Sequence, residues 1–217
     1  MKEDTLVVHE IYSSVQGEST FAGLPCAFVR LTGCNLRCTW CDTPQAFYGG
    51  ERLRRDEVLA RALALGTPLV ELTGGEPLLQ PGVLPLLAEL CDAGRTVLVE
   101  TSGEADVSRV DPRVHKIMDL KAPGSGESHR NRWSNLEHLT ARDEIKFVLA
   151  GREDYDWMRG VIRDRRLDAL GVALLASTVW GRLAARELVA WVLEDRLPVR
   201  VQVQMHKVIW GAEAQGV

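Results

Sequence analysis

Three of the five cysteines, Cys34, Cys38 and Cys41, fall within eight consecutive positions of the stretch 33–43, directly after an apolar run. Thiolates at such spacing can wrap one loop around a soft metal centre; a zinc knuckle, a disulfide pair and chance are the plain alternatives. A structural zinc or an electron-carrying cluster takes four protein ligands. A loop offering three therefore leaves one metal position for a substrate or cofactor, which favours an enzyme, although a distant histidine could be a fourth ligand. Cys26 and Cys91 lie in apolar surroundings and read as buried structural thiols.

Other groups with chemical potential sit at the ends of apolar runs. Arg30 interrupts the strand-like stretch 26–32, and a buried guanidinium needs an anion, from an internal acid or from a substrate carboxylate. The polar segment 13–19 reads as a loop in which Gly17 lets backbone approach a ligand while Gln16 and Glu18 offer hydrogen bonds, although on local grounds alone it is a plain turn. Thr73-Gly74-Gly75-Glu76-Pro77, Glu100-Thr101-Ser102-Gly103 and Asp119-Leu120-Lys121 each follow a short apolar run.

The elements that must position these groups alternate. Strands are expected at 5–12, 26–32, 69–72, 96–99, 115–120, 144–149, 170–175 and 199–203, and helices at 54–65, 83–93, 155–166 and 184–193. That order predicts an α/β fold with a parallel sheet, whose sites lie at the strand C-terminal ends. The connections 102–114 and 122–143 are too polar and too rich in Gly and Pro for crossover helices, so an incomplete, modified (β/α) TIM-like barrel with few helices is expected, with 122–128 a mobile loop.

With 217 residues, 46% hydrophobic and 26% charged, the chain suits one domain spanning 1–217. The net charge of -4 shows no polybasic face and argues against nucleic acid or an anionic membrane as partner. No apolar run approaches the ~18 residues of a membrane span, the start is charged, and clustered thiols suit a reducing compartment, so a cytoplasmic location is expected.

The spacing Cys34-x3-Cys38-x2-Cys41 with Trp40 before the last cysteine, together with Gly74-Gly75-Glu76-Pro77, resembles the radical S-adenosylmethionine (SAM) superfamily. Gln16-Gly17-Glu18, Phe28-Val29-Arg30-Leu31, Cys41-Asp42-Thr43, Glu100 to Gly103, Asp119 to Lys121 and the tail Gln204-Met205-His206-Lys207 narrow the likeness to the 7-carboxy-7-deazaguanine synthases, nearly end to end. The resemblance implies ring contraction of 6-carboxy-5,6,7,8-tetrahydropterin with loss of ammonia, in queuosine and 7-deazapurine biosynthesis. It implies a 4Fe-4S cluster on Cys34, Cys38 and Cys41, SAM on the open iron, and Mg2+ at Thr43. SAM contacts are implied for Trp40, Gly74, Gly75, Glu76, Ser102, Asp119, Leu120, Lys121 and Ser177. Substrate contacts are implied for Val15, Gln16, Gly17, Glu18, Arg30, Thr73, His206 and Val217, the tail 204–217 reaching the active site. A flavodoxin- or ferredoxin-type electron donor and a homodimer are implied as well. Ser19, where many relatives have Gly, and Ser177-Thr178, in place of a common Ser-Pro pair, depart from the pattern. The alternatives are a radical SAM activating enzyme acting on a partner protein and a non-catalytic metal or electron-transfer protein.

Overall fold

In the computed structural model, which describes residues 4–217, one nine-stranded sheet organises the chain. Its order is β3 (Glu51–Arg54), β1 (Thr5–Val15), β2 (Pro25–Leu31), β4 (Leu69–Gly74), β5 (Thr96–Thr101), β6 (His115–Asp119), β7 (Glu144–Leu149), β8 (Ala173–Thr178) and β9 (Arg200–Gln202). Every pairing from β2 to β9 is parallel, and β1 runs antiparallel to both of its neighbours. The sheet keeps two edges, β3 and β9, as an incomplete barrel does.

Alternation along the strands gives the barrel an outside and an inside. Outward, Val70, Leu72, Val97 and Val99 pack with Val58 and Ala62 of α1 (Arg55–Ala64) and Leu86, Leu87 and Leu90 of α2 (Val83–Asp92). A second outer core joins Ile145, Phe147, Leu174 and Ala176 to Tyr155, Met158 and Ile162 of α3 (Arg152–Asp164) and to Leu188 and Val192 of α4 (Ala185–Asp195). Cys26, Phe28, Leu69, Leu98 and Ile117 form a separate apolar cluster. The residues two places further along three of these strands are Arg30, Glu71 and Glu100, so the same face turns from apolar to charged towards the strand C-terminal ends.

The expected helices and strands are present, with several shifts. Ser13, Ser14 and Val15, expected in a loop, continue β1 because their backbones pair with Ala27, Cys26 and Pro25. The strand expected at 170–175 begins at Ala173, since Leu170 caps a 3-10 turn at Leu167–Ala169 and Gly171 follows at positive φ. α3 starts at Arg152, earlier than expected, with Glu153 and Asp154 in its first turn favouring that helix end. Two short elements were not expected, β3 and α5 (Met205–Trp210). No crossover helix fills 102–114 or 122–143. The segment 122–128, expected as a mobile loop, makes a 3-10 turn at Pro123–Ser125 and enters a second at Ser128. It is tied down by Gly124 N–H to Asp154 Oδ1 at 2.8 Å and Thr39 Oγ1 to the Gly124 carbonyl at 2.9 Å. Among the described residues, no helix is long and apolar enough to cross a membrane.

Candidate active site

The polar strand ends open into a cavity of about 670 Å3. Its cysteine-bearing wall is built by backbone contact between two loops. Gly75 N–H donates to the Leu31 carbonyl at 3.1 Å and Glu76 N–H to the Gly33 carbonyl at 2.8 Å, which draws the 74–77 turn against the start of the cysteine loop. Only glycine permits this approach. A Cβ at Gly74, whose φ is +135°, would meet the Leu31 carbonyl oxygen at 2.2 Å, and one at Gly75 would meet the Gly33 oxygen at 2.1 Å. The loop's other side is held by Thr39 N–H to the Ser125 carbonyl at 3.0 Å.

Cys34, Cys38 and Cys41 are free thiols, half-buried, and all three line the cavity. Burial pushes the Cys38 thiol up to about 11, against the nearby Lys121 ammonium, and it also raises Cys34. The two remaining cysteines are not available as a fourth ligand: Cys26 is buried in the apolar cluster beneath, and Cys91 packs on the α1/α2 side. Among the described residues no three His, Cys, Asp or Glu converge on a single-ion site. A cluster of several irons gives each thiolate its own iron and needs no such convergence, so the donor set fits a three-thiolate iron-sulfur cluster. Trp40 lies beside them, with the Arg182 guanidinium 5.7 Å from its ring centroid.

The opposite end of the cavity is charged. Gln16 is fixed at both ends of its amide: Nε2 donates to Glu71 Oε2 at 2.9 Å and Oε1 accepts from Glu18 N–H at 2.8 Å. Lys146 sits between two acids, 3.3 Å from Glu18 Oε2 and paired with Glu100, whose other oxygen accepts from Thr73 Oγ1 at 3.3 Å. Burial alone would lower the Lys146 ammonium, but Glu100 and Glu18 raise it well above the ordinary lysine value. Arg30, the lone strand arginine, has an internal partner: its Nε meets Glu10 Oε1 at 2.7 Å and its Nη2 donates to the Tyr12 hydroxyl at 2.7 Å. Lys121 pairs with Asp119 at 2.7 Å.

A third wall comes from the end of the chain. Met205 N–H donates to the Gly17 carbonyl at 3.0 Å, and a Cβ on Gly17 would approach His206 Nδ1 to 2.8 Å, so this glycine makes room for α5. Asp42 Oδ2 then accepts from Gln204 Nε2 at 2.9 Å and Lys207 Nζ at 3.0 Å. Asp42 is exposed at the cavity mouth, and although loss of water there would raise its carboxyl, the Lys207 ammonium and these two hydrogen bonds hold it well below the carboxylate range. Thr43 Oγ1 lies 3.3 Å from Asp42 Oδ1. Residues 212–217 follow along the same wall, Val217 among them.

Of the residues singled out from sequence, Val15, Gln16, Gly17, Glu18, Arg30, Trp40, Thr43, Thr73, Gly74, Gly75, Ser102, Asp119, Lys121, His206 and Val217 line this one cavity with the three thiols. Three do not. Glu76 is fully buried behind the wall, its carboxylate accepting from Leu78 N–H, Thr101 Oγ1, and the Ser102 N–H and Oγ. Leu120 is fully buried with the α3/α4 core, and Ser177 is buried with an unpartnered hydroxyl. Val148, Val179 and Trp180 line the cavity on that side instead. Sequence reasoning missed Glu71 and Lys146, charged residues between apolar neighbours in β4 and β7, and Glu10 and Tyr12; Lys207, present in the tail motif, was given no role.

A three-cysteine loop and a Gly-Gly turn meeting at the C-terminal ends of a parallel, incomplete barrel define a radical SAM protein, and the Radical SAM superfamily model matches residues 28–124. The sequence is 48% identical to the 7-carboxy-7-deazaguanine synthase of Chlorobaculum tepidum, over 99% of both chains, and 44% identical to that of Koribacter versatilis, over 97% of this chain and 99% of the other. The chain belongs to the 7-carboxy-7-deazaguanine synthase family. Its fold matches the crystal structure of QueE from Escherichia coli with a TM-score of 0.75 at 23% identity, covering 93% of this chain and 95% of that one.

Proposed function

We propose that the protein is a radical SAM lyase that contracts 6-carboxy-5,6,7,8-tetrahydropterin to 7-carboxy-7-deazaguanine with release of ammonia, in queuosine and other 7-deazapurine biosynthesis. The observation that carries this reading is the single cavity with three free thiols at one end and a ring of fixed polar groups around Arg30 and Gln16 at the other. Cys34, Cys38 and Cys41 would hold a 4Fe-4S cluster, with SAM against Trp40, Gly74, Gly75, Ser102, Asp119 and Lys121. Together the bound cluster and SAM supply hydrogen-atom abstraction driven by one-electron reduction.

The chain's own residues bind and orient. Glu10 and Tyr12 hold two nitrogens of Arg30, and the guanidinium still has Nη1 for a substrate carboxylate. Lys146 fixes Glu18 and Glu100 at the cavity floor, and Glu76 fixes Ser102 from behind the wall. Thr43, on the cavity wall, would offer its hydroxyl to Mg2+, a hard cation suited to oxygen donors. The tail and His206 close the cavity against water, with Val217 on the substrate side. A flavodoxin- or ferredoxin-type protein supplies the electron, and the enzyme works as a homodimer.

The test is anaerobic reconstitution with iron and sulfide, followed by SAM, Mg2+, dithionite and the carboxytetrahydropterin. The expected result is a product of the mass of 7-carboxy-7-deazaguanine and one ammonia per turnover. Full cluster loading without that product overturns the reading. SAM consumed once per enzyme with no pterin turned over favours an activating enzyme instead.

A further inference from the structure

One acid on the cavity floor has no cation of its own. Glu71 is on β4, between Leu69 of the apolar interior cluster and Thr73 at the cavity wall, and the residue is 1% exposed. Gln16 Nε2 donates to its Oε2, and among the described residues no hydrogen-bond donor reaches Oε1. The groups facing it are Glu100 from β5, Lys146 from β7, Glu18 from the loop after β1, Tyr12 from β1 and Cys26 from β2. Lys146, the cation in this set, is already engaged by Glu100 and Glu18. An anion at Glu71 would be buried beside two other acids without a counter-charge, which is costly. Burial first, then the Glu100 charge, accordingly push this carboxyl up to about 8, against the Gln16 hydrogen bond and Lys146.

Protonation gives the two oxygens different roles. The carbonyl oxygen accepts an N–H, and the hydroxyl becomes a donor, which a carboxylate is not. The Gln16 amide cannot turn to offer its oxygen instead, because that oxygen already accepts from Glu18 N–H at 2.8 Å. The Gln16 side of the carboxyl is thus the acceptor, and Glu71 lines the cavity with a donor to give.

We propose that Glu71 is a substrate-positioning residue, its carbonyl oxygen holding the Gln16 amide and its hydroxyl donated to an acceptor atom, a ring carbonyl or ring nitrogen, of the bicyclic substrate. This rests on the reading of the cavity as the pterin site. Loss of the proton removes the donor and sets a negative charge against an acceptor, so substrate binding weakens as the pH passes through about 8.

The experiment compares wild type, Glu71→Gln and Glu71→Leu under anaerobic steady-state conditions at saturating SAM between pH 6.5 and 9.5. Wild type is expected to show a KM for the carboxytetrahydropterin that rises about tenfold from pH 7 to 9 with a smaller change in kcat, the loss of one hydrogen bond to a buried partner. Glu71→Gln, which keeps one acceptor and one donor, is expected to hold a low KM across the range. Glu71→Leu is expected to have a KM raised about tenfold at every pH, with SAM binding to the reconstituted enzyme unchanged. Parallel pH profiles for wild type and Glu71→Gln overturn the proposal, as does a wild-type KM in Glu71→Leu. If Glu71→Leu fails to fold, the comparison of wild type with Glu71→Gln decides alone. Wild type that cannot turn over the pterin sinks the site reading and this proposal with it, whereas turnover with parallel profiles sinks the role of Glu71 only.

Discussion

At the scale of single residues, the cysteine thiols and the buried acids answer to different pressures. Cys38 belongs to a half-buried loop and to none of the apolar clusters, so its side chain can be cut without opening a cavity in the core. Cys38→Ala is expected to remove the iron-sulfur absorbance and all turnover while moving the stability of the metal-free chain by under about 1 kcal/mol, measured by chemical denaturation. Glu71 is the reverse case, legible in stability itself. Its pKa is raised on folding from the ordinary 4.5 to about 8, so its contribution to stability is fully present below pH 4.5 and is lost as the pH rises towards 8. Glu71→Gln removes that loss. The melting temperature of the variant relative to wild type is expected to climb between pH 5 and 8 and then level off; a difference that stays constant with pH contradicts it. The three thiols and Arg30 could be found from spacing and from a charge inside an apolar run. Glu71 and Lys146 carried the same kind of signal, since each is a charged residue between apolar neighbours, but only the register shows that Glu71 lies beside Phe28 and Leu98 on the interior face. For Glu76 the limit is of another kind: its place in the Gly-Gly-Glu-Pro turn says nothing of which side of the wall its carboxylate takes, and the structure puts it behind, on Thr101 and Ser102.

At the scale of elements, the decisive contact is backbone against backbone. The turn after β4 and the loop after β2 touch where Gly75 faces the Gly33 carbonyl, and no side chain fits between them. Gly75→Ala is expected to destabilise the fold by about 2 kcal/mol or to displace the cysteine loop, because the Cβ would press on the Gly33 carbonyl and the Cys34 Cβ. Denaturation and iron content per chain report the two outcomes, and a variant normal in both refutes the tight approach. The long helices and interior strands were readable because burial stamps a period on them. α1 and α2 each end before a glycine, Gly66 and Gly94, at positive φ, the usual stop for a helix. β3 and α5 were not readable, being four and six residues long, and α5 leaves Val208, Ile209 and Trp210 exposed so that no amphipathic pattern marks it. They form through partners distant in sequence, β1 for the one and Gly17 for the other.

At the scale of the whole molecule, the barrel's interior runs from apolar at the strand starts to charged at the strand ends, and the tail lies across the charged end. Residues 211–217 belong to none of the hydrophobic clusters, and all but Val217 are exposed. A chain ending after Trp210 is expected to keep the cooperative unfolding of the full chain and its SAM affinity, with the KM for the pterin raised about tenfold or more by loss of that wall. An unchanged KM would show the tail to be a bystander. The overall architecture was legible because alternating strands and helices admit few arrangements, whereas the tail's place at the cavity was readable only through the family resemblance, since it depends on contacts between the two ends of the chain.

Asp42 and Lys207 are 165 positions apart, and their ion pair, with the Gln204 hydrogen bond to the same carboxylate, links the cysteine loop to the tail. On a ribosome, the loop and the first strands emerge long before their partner exists. Throughout synthesis Asp42 therefore waits without its partner, and this wall of the cavity is completed only when the rest of the barrel is already standing.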